Sequence, residues 1–224
     1  MSGIGVLREG PLHAAVKELC ARPGDRAEVK VGRFVVDLVR ADGELVEIQT
    51  GGFAPLAPKL DALLDDHRMR IVHPIAAERR IVRVDANGEV LSARRSPARG
   101  RALAVFDRLV TFPSLLAHPN LVVELLLCRE DHVRAPAPRR GRRFLRDPGE
   151  RRLRDVVERI ELREPADALA LVGAPSGEPF TNRDLAVRLG CDARLAERIT
   201  YCLRHMEVVE AVGKRGRAAV FTIL

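Results

Sequence analysis

The chain has 224 residues and 46% of them are hydrophobic, which is enough to bury a core in one large or two modest domains. Lys and Arg number 38 against 31 Asp and Glu, so the formal net charge is +7, and this composition excludes a disordered basic tail. No apolar run approaches the roughly 18 residues that cross a bilayer, and the N-terminus lacks a secretory signal pattern. We therefore expect a soluble, cytoplasmic protein without a membrane partner. The four cysteines show no metal-binding spacing, which predicts reduced thiols rather than zinc or disulfides.

The first 133 residues carry the periodicities of a mixed α/β domain. Pro11 suits the first turn of a helix, and the period then changes to two, with Val, Ile and Leu alternating with polar residues. The pair Asn87 and Gly88 is a strong hairpin signal. The predicted elements are a helix over 11–21, strands over 28–31, 34–40 and 44–50, a helix over 55–67, strands over 70–74, 81–84 and 89–91 and a helix over 101–110. The apolar run over 121–128 has the length of a strand, and its periodicity also allows a buried helix.

The positive charge is concentrated where this pattern stops. Between Arg134 and Arg154 nine arginines stand against Asp147 and Glu150, so this segment accounts for the whole net charge. Prolines and glycines interrupt it, which predicts an exposed linker over 134–150 between domains 1–133 and 151–224. The predicted elements beyond it are helices over 151–162, 166–172, 181–189 and 192–206, then strands over 208–212 and 218–223.

The strands over 34–40 and 44–50 predict an acidic hairpin. A three-residue loop with Gly43 in the left-handed conformation pairs Arg40 with Glu44 and, counting back, sets Asp37 opposite Glu47. Opposed residues have Cβ atoms about 4.5 to 5.5 Å apart, so two carboxylates there favour a cation between them. Gln49 shares the face of Glu47, while the apolar residues on either side point into the core. The alternative is an ordinary solvent-facing hairpin whose charges are incidental.

These residues resemble the PD-(D/E)XK nuclease superfamily, whose restriction-endonuclease-like core runs helix, strand hairpin, helix, strand. The resemblance covers roughly residues 5 to 130 and implies a mixed sheet flanked by helices, with Asp37 and Glu47 binding Mg²⁺ (or Mn²⁺) and the Ile48 carbonyl as a further ligand. It places Gln49 where most members have a lysine, and it makes Glu9 the best match for a further acidic residue near the initial helix, ahead of Glu18. The missing lysine implies either a lower activity or its substitution by Lys17 or Lys59.

Residues 151–224 resemble a small, mainly helical winged helix-turn-helix domain, in which the second helix of the motif enters the DNA major groove and the wing contacts the backbone. The resemblance implies DNA contacts from the helix and the wing, while the basic loop before residue 101 and the linker suit phosphate. The expected nucleic-acid-binding residues are Arg94, Arg95, Arg99, Arg139, Arg140, Arg142, Arg143, Arg194, Arg198, Lys214, Arg215 and Arg217.

Taken together, the sequence predicts a Mg²⁺-dependent deoxyribonuclease with DNA as its partner. Two alternatives remain open at this point. One is a DNA-binding regulator whose nuclease-like domain has lost its chemistry, as the absence of a lysine at position 49 would suggest. The other is a protein-interaction module in which the winged helix forms a homodimer.

Overall fold

The computed structural model describes residues 10–136, 139–140, 143–144, 149–173 and 178–224. It is a mixed α/β structure with one large mixed sheet and flanking helices. The helices are α1 (Pro11–Cys20), α2 (Ala57–Leu63), α3 (Phe106–Leu109), α4 (Pro165–Val172), α5 (Asn182–Leu189) and α6 (Ala193–His205). The strands are β1 (Arg26–Val31), β2 (Phe34–Val39), β3 (Leu45–Ile48), β4 (Met69–Val84), β5 (Val90–Arg95), β6 (Leu121–Arg134), β7 (Arg139–Arg140), β8 (Arg143–Phe144), β9 (Glu150–Leu162), β10 (Val209–Arg215) and β11 (Ala218–Ile223).

The main sheet has seven strands in the order β1-β2-β3-β4-β6-β9, with β5 beside β4. The first three strands form an antiparallel meander, and β3 then pairs in parallel with β4. A parallel neighbour requires a crossover connection, and α2 supplies it. Short 3₁₀ helices at Ala54–Leu56, Ala102–Val105 and Pro113–Ala117 complete the connections.

The chain divides into two compact units. The first comprises Met1–Pro23, Pro74–Arg101 and Leu126–Arg159, and the second comprises Gly24–His73, Ala102–Leu125 and Ile160–Leu224. The long strands β4, β6 and β9 each contribute residues to both units because they cross these boundaries.

The core of the second unit lies behind the predicted hairpin. Val36, Leu38, Val46 and Ile48 are almost completely buried on one face of β2 and β3, and along β3 the intervening residues Leu45 and Glu47 are buried as well. Burying one such side chain contributes about 1.5 to 3 kcal/mol, and a one-residue slip of register would turn this whole row to the opposite face of the sheet and bring Asp37 and Glu47 into its place. The register of the acidic pair is therefore fixed by the apolar residues on the other face.

Two sequence predictions about strands and helices are wrong. Residues 150–162 form strand β9 instead of a helix over 151–162, and they pair with β6 in the main sheet. The predicted strands over 70–74 and 81–84 are parts of the single strand β4, which continues through Pro74. Its beginning pairs with β3 and its end pairs with β5, so β4 changes neighbours along its length. The segment predicted as a linker contains the short antiparallel pair β7 and β8.

The C-terminal helices and hairpin follow the sequence prediction closely. Thr181 caps α5 in a reciprocal capping box with Asp184, and the side chain of Asp192 caps α6. The strands β10 and β11 pair as an antiparallel hairpin, and Phe180 adds an isolated bridge to Phe221. Helix, turn, helix and two-stranded hairpin thus follow one another in this part of the second unit.

None of the helices in the described ranges is both long and apolar enough to pass through a membrane.

Candidate functional site

The β2–β3 hairpin has the predicted loop and register. The backbone N–H of Arg40 donates to the Glu44 carbonyl at 2.9 Å, and Gly43 has a φ of +87°, the left-handed conformation that favours glycine. Leu38 pairs with Val46, so the next residues along the two strands are Asp37 and Glu47. The prediction that these two carboxylates share one face of the sheet is confirmed by this register.

Hydrogen bonds hold the two acidic residues beside each other. The Ile48 backbone N–H donates to Asp37 Oδ2 at 2.8 Å, and the Asp37 backbone N–H donates to the Glu47 carboxylate. Asp37 is half-buried, whereas Glu47 is 6% exposed. The site therefore contains one nearly buried carboxylate and one that is partly open to solvent.

Lys59 supplies the positive charge next to this pair. It lies on α2, and its Nζ donates to Glu47 Oε1 at 2.5 Å and to the Val35 carbonyl at 2.7 Å. The crossover helix thus brings a lysine to the acidic strand even though position 49 is a glutamine. Of the two lysines that the sequence offered as substitutes, Lys59 is the one that the structure places against Glu47.

The electrostatics of Glu47 reflect opposing influences. Burial is the largest, and it raises the pKa of the carboxyl above its ordinary value because a charged group loses solvation there. The hydrogen bond and charge of Lys59 lower the pKa, while the negative charge of Asp37 raises it. The net pKa is raised, so Lys59 alone does not fully compensate the burial of this group beside a second carboxylate.

Gln49 is held away from the role that a lysine would have at its position. The side-chain amide of Gln49 donates to the backbone carbonyl of Gly52. The backbone carbonyl of Gln49 accepts from Nδ1 of His73 at 2.5 Å. Because a carbonyl only accepts, this contact fixes the proton on Nδ1 of the imidazole. Phe53 packs edge-on against the His73 ring, with 5.2 Å between centroids. Sequence reasoning left His73 out of the site, since nothing along the chain connects it with residue 49.

The oxygen donors of the site fit a hard divalent cation. Among the residues described, no cluster of three or more His, Cys, Asp and Glu side chains is arranged for a metal. Mg²⁺ is nevertheless often bound by only one or two carboxylates, because it retains several of its waters. Asp37 and Glu47 provide such a carboxylate pair, with Ile48 next to Glu47 in β3, and the charge of Asp37 is, after burial, a further influence that raises the pKa of Glu47.

The structure describes the other predicted site residues to different extents. Glu9, the further acidic candidate, and Arg142 lie outside the described residues, and for Arg139, Arg140 and Arg143 only the backbone in β7 and β8 is described. Arg94, Arg95 and Arg99 are exposed, on β5 and in the loop after it. Arg194, Lys214 and Arg217 are exposed on α6 and at the β10–β11 turn.

Two residues of the predicted winged helix have ion-pair partners within the second unit. Arg198 on α6 pairs with Asp107 on α3, and Arg215 contacts Asp184 at 3.2 Å. The Arg215 pair is exposed, so it holds that side chain only weakly. Arg198 is half-buried and is directed to a neighbouring helix, which separates it from the freely exposed Arg194.

Comparison with known proteins assigns the chain to a family. The chain belongs to the family described as "Domain of unknown function (DUF8091)", whose model matches residues 10–163. It is also similar to an uncharacterized protein of Treponema pallidum (strain Nichols), with 28% identity over 221 residues that cover 97% of this chain and 86% of the relative. No solved structure matches the chain. The family match includes the acidic hairpin, α2 and all of β9.

Proposed function

We propose that this chain is a metal-dependent nuclease of the cytoplasm that hydrolyses DNA phosphodiester bonds, with a restriction-endonuclease-like domain and a winged helix that holds the substrate. The observation that carries the proposal is the carboxylate pair Asp37 and Glu47 with Lys59 bonded to it. The order of elements supports it, because a helix, an antiparallel meander, a crossover helix and a parallel strand follow in the sequence that the resemblance implies.

Asp37, Glu47 and the Ile48 carbonyl would hold Mg²⁺ or Mn²⁺. When bound, such a cation neutralises charge on the scissile phosphate and makes a water a better nucleophile at neutral pH. The protein's contribution is to keep the two carboxylates in place, and the bonds from the Ile48 amide to Asp37 and from Lys59 to Glu47 achieve this. Preformed donors need no reorganisation when charge develops, which is the main source of electrostatic catalysis.

Lys59 has the role that the resemblance assigns to a lysine two residues after the glutamate. Its ammonium group offers three donors, and among the residues that the structure describes Glu47 and Val35 use two of them, which leaves one to orient a water or a phosphate oxygen. Gln49 carries no charge and its amide is already bonded to Gly52. The Gln at position 49 therefore does not require a loss of chemistry, and this weakens the alternative of a non-catalytic regulator.

The winged-helix part of the proposal is supported by the elements α4, α5, α6 and the β10–β11 hairpin. Arg194 and the turn residues Lys214 and Arg217 are exposed and can meet a DNA backbone. We do not propose Arg198 as a DNA contact, because its side chain is bonded to Asp107.

The test is cleavage by matched variants. The purified chain with Mg²⁺ or Mn²⁺ is incubated with plasmid, linear and branched DNA, and Asp37→Asn and Glu47→Gln are expected to abolish cleavage and to weaken Mn²⁺ binding measured by calorimetry. Asp42→Asn is the control, because Asp42 lies at the tip of the same hairpin and its side chain is 63% exposed. Cleavage that survives in both site variants, or absent cleavage of all three substrates by the wild type, would refute the proposal. Duplex binding by a wild type that never cleaves would support the regulator instead.

A further inference from the structure

A groove rich in arginine lies within the first unit, at the junction of β4, β5, β6 and β9. Its volume is about 280 Å³. Six of its nine lining residues are arginines, namely Arg79, Arg80, Arg95, Arg99, Arg129 and Arg154. Only Arg95 and Arg99 were expected from the sequence to bind nucleic acid, since the others come from strands far apart along the chain. Arg94, the third expected residue of this region, is not among the nine; its neighbour Arg95 points to the other face of β5.

Part of this positive charge is already neutralised by carboxylates of the same unit. Asp131 binds Arg80 through two hydrogen bonds of 2.9 and 2.7 Å. Arg129 lies between Glu78, at 3.7 Å, and Asp155, at 3.2 Å. Arg154 also lies 3.9 Å from Asp131, so Arg80, Arg129 and Arg154 each have a carboxylate partner and do not offer all of their charge to a ligand.

The remaining arginines supply the charge that is available to a ligand. Within the part of the chain that the structure describes, Arg79, Arg95 and Arg99 form no ion pair, and Nε of Arg79 is buried without a hydrogen-bond partner. Arg95 lies directly opposite Arg80 in the β4–β5 pairing. Asp131 already compensates the charge of Arg80, so the charge of Arg95 is the one of this opposed pair that is available to an anion in the groove.

The loop that carries Arg99 is fastened to β4. The Ser96 amide donates to the Arg79 carbonyl at 2.8 Å, and the Gly100 amide donates to the Ala76 carbonyl at 2.7 Å. A Cβ atom at Gly100 would lie 2.8 Å from the Ala76 oxygen, so only glycine permits this approach. The groove is therefore formed by anchored backbone and does not depend on a loose loop.

We propose that this groove binds phosphate groups of a nucleic-acid backbone, as a second contact region for the DNA substrate. Arginine is suited to this because its guanidinium group makes paired hydrogen bonds with phosphate oxygens. None of the nine lining residues is aromatic, so the groove has no aromatic ring on which bases could stack, and the proposed contacts are those of arginine with phosphate. The choice of DNA as ligand rests on the proposed function, whereas the affinity for phosphate rests on the groove alone.

The experiment measures binding without cleavage. A fluorescein-labelled duplex is titrated with the full chain in the presence of a chelator, at salt concentrations from about 50 to 200 mM. Arg95→Gln combined with Arg99→Gln is expected to weaken binding and to reduce the slope of log K against log salt by about 2, since each lost phosphate contact removes about 0.9. Arg26→Gln combined with Arg83→Gln is the control, because both residues are exposed, lie outside the groove and change the net charge equally.

The outcomes separate the groove from the nuclease. Equal salt slopes for the groove variant and the wild type, or equal losses of duplex affinity in the groove and control variants, would overturn the inference. Neither result would bear on the proposed cleavage at Asp37 and Glu47. A wild type that fails to cleave but shows the expected slope change would refute the nuclease and retain the groove. Inorganic phosphate is titrated separately by calorimetry, and tight binding lost in Arg95→Gln with no effect on the duplex would mean a small phosphorylated ligand and contradict the assignment to nucleic acid. Circular dichroism confirms that each variant is folded.

Discussion

Replacing Lys59 by methionine tests how the site compensates for the glutamine at position 49. Lys59 is the cation in contact with Glu47 Oε1, at 2.5 Å, and only 14% of its side chain is exposed. Methionine keeps the length and the apolar stem but removes the charge. We expect cleavage to fall while the hairpin keeps its register, because the apolar face of β2 and β3 is unchanged.

The magnitude follows from the position of the ammonium group. A positioned group that donates or accepts protons, or orients a water, contributes about 10²- to 10⁴-fold to the rate. This corresponds to about 3 to 5 kcal/mol of transition-state stabilisation. The same change leaves Glu47, whose side chain is 8% exposed, without its cationic partner, and breaking such a buried pair costs up to about 3 to 5 kcal/mol of folding stability.

The assay therefore measures kcat on plasmid DNA together with thermal unfolding, and activity is compared well below each midpoint. The decisive variant adds Gln49→Lys to Lys59→Met, which returns the lysine to the strand. Gln49 shares the face of Glu47, so part of the lost rate should return. Lys30→Met is the control, since Lys30 is an exposed lysine of the same unit. If Lys59→Met cleaves as fast as the wild type at a temperature where both are fully folded, the role of Lys59 in cleavage is refuted.

Other predictions concern stability and thiol chemistry. Arg70 is nearly buried and bonds the largely buried Glu44 and Glu124 and the more exposed Glu161, so Arg70→Met should cost about 3 to 5 kcal/mol in urea denaturation. Arg68→Met, which breaks an exposed pair, should cost at most about 1 kcal/mol, and equal losses would contradict this. Burial raises the pKa of Cys128 and of Cys202 to about 12, so both remain protonated thiols at neutral and mildly alkaline pH. A thiol reagent should therefore modify the half-buried Cys191 first, as peptide mass spectrometry would show, and early labelling of Cys128 would disprove it.

The loss of folding stability in Arg70→Met should depend on pH. Burial acts to raise the pKa of the Glu161 carboxyl, but its bonds to Arg70 and Arg163 outweigh burial and the pKa is lowered. A lowered pKa contributes stability above the unfolded value, and that contribution is lost as the pH falls through the folded one. The stability difference between wild type and Arg70→Met should thus be largest at neutral pH and shrink below about pH 4.5, as denaturation curves in acid would reveal.

The acidic hairpin was predictable because local rules determine it. The loop ending in Gly43 fixes the pairing of Arg40 with Glu44, and alternation then sets the face of every other side chain. The approach of Lys59 to Glu47 was not determined in the same way. The apolar stripe of α2 shows which side of the helix is buried, but the rotation that brings Nζ to one carboxylate depends on packing between elements distant in sequence.

Strand β9 shows where local patterns mislead. Leu153, Val156, Val157 and Ile160 have the spacing of an amphipathic helix, and the surrounding Arg and Glu are good helix formers. Pairing with β6 overrides this preference, and Val157 is left 52% exposed as a result. The interruption predicted at Pro74 failed for a related reason, since proline removes a single donor and β4 keeps its other pairings.

The side chain of Arg70 has a consequence for dividing this protein into fragments. It joins Glu44 at the hairpin turn, Glu124 in β6 and Glu161 near the end of β9, residues that are up to 91 positions away along the chain. A polypeptide ending at residue 133 would keep the acidic hairpin but lose the third of these carboxylates and the strand that covers β6. The newly exposed edge of β6 would then be free to pair with another molecule. Expression of the hairpin region alone should therefore yield aggregates, and a usable fragment has to extend past Leu162.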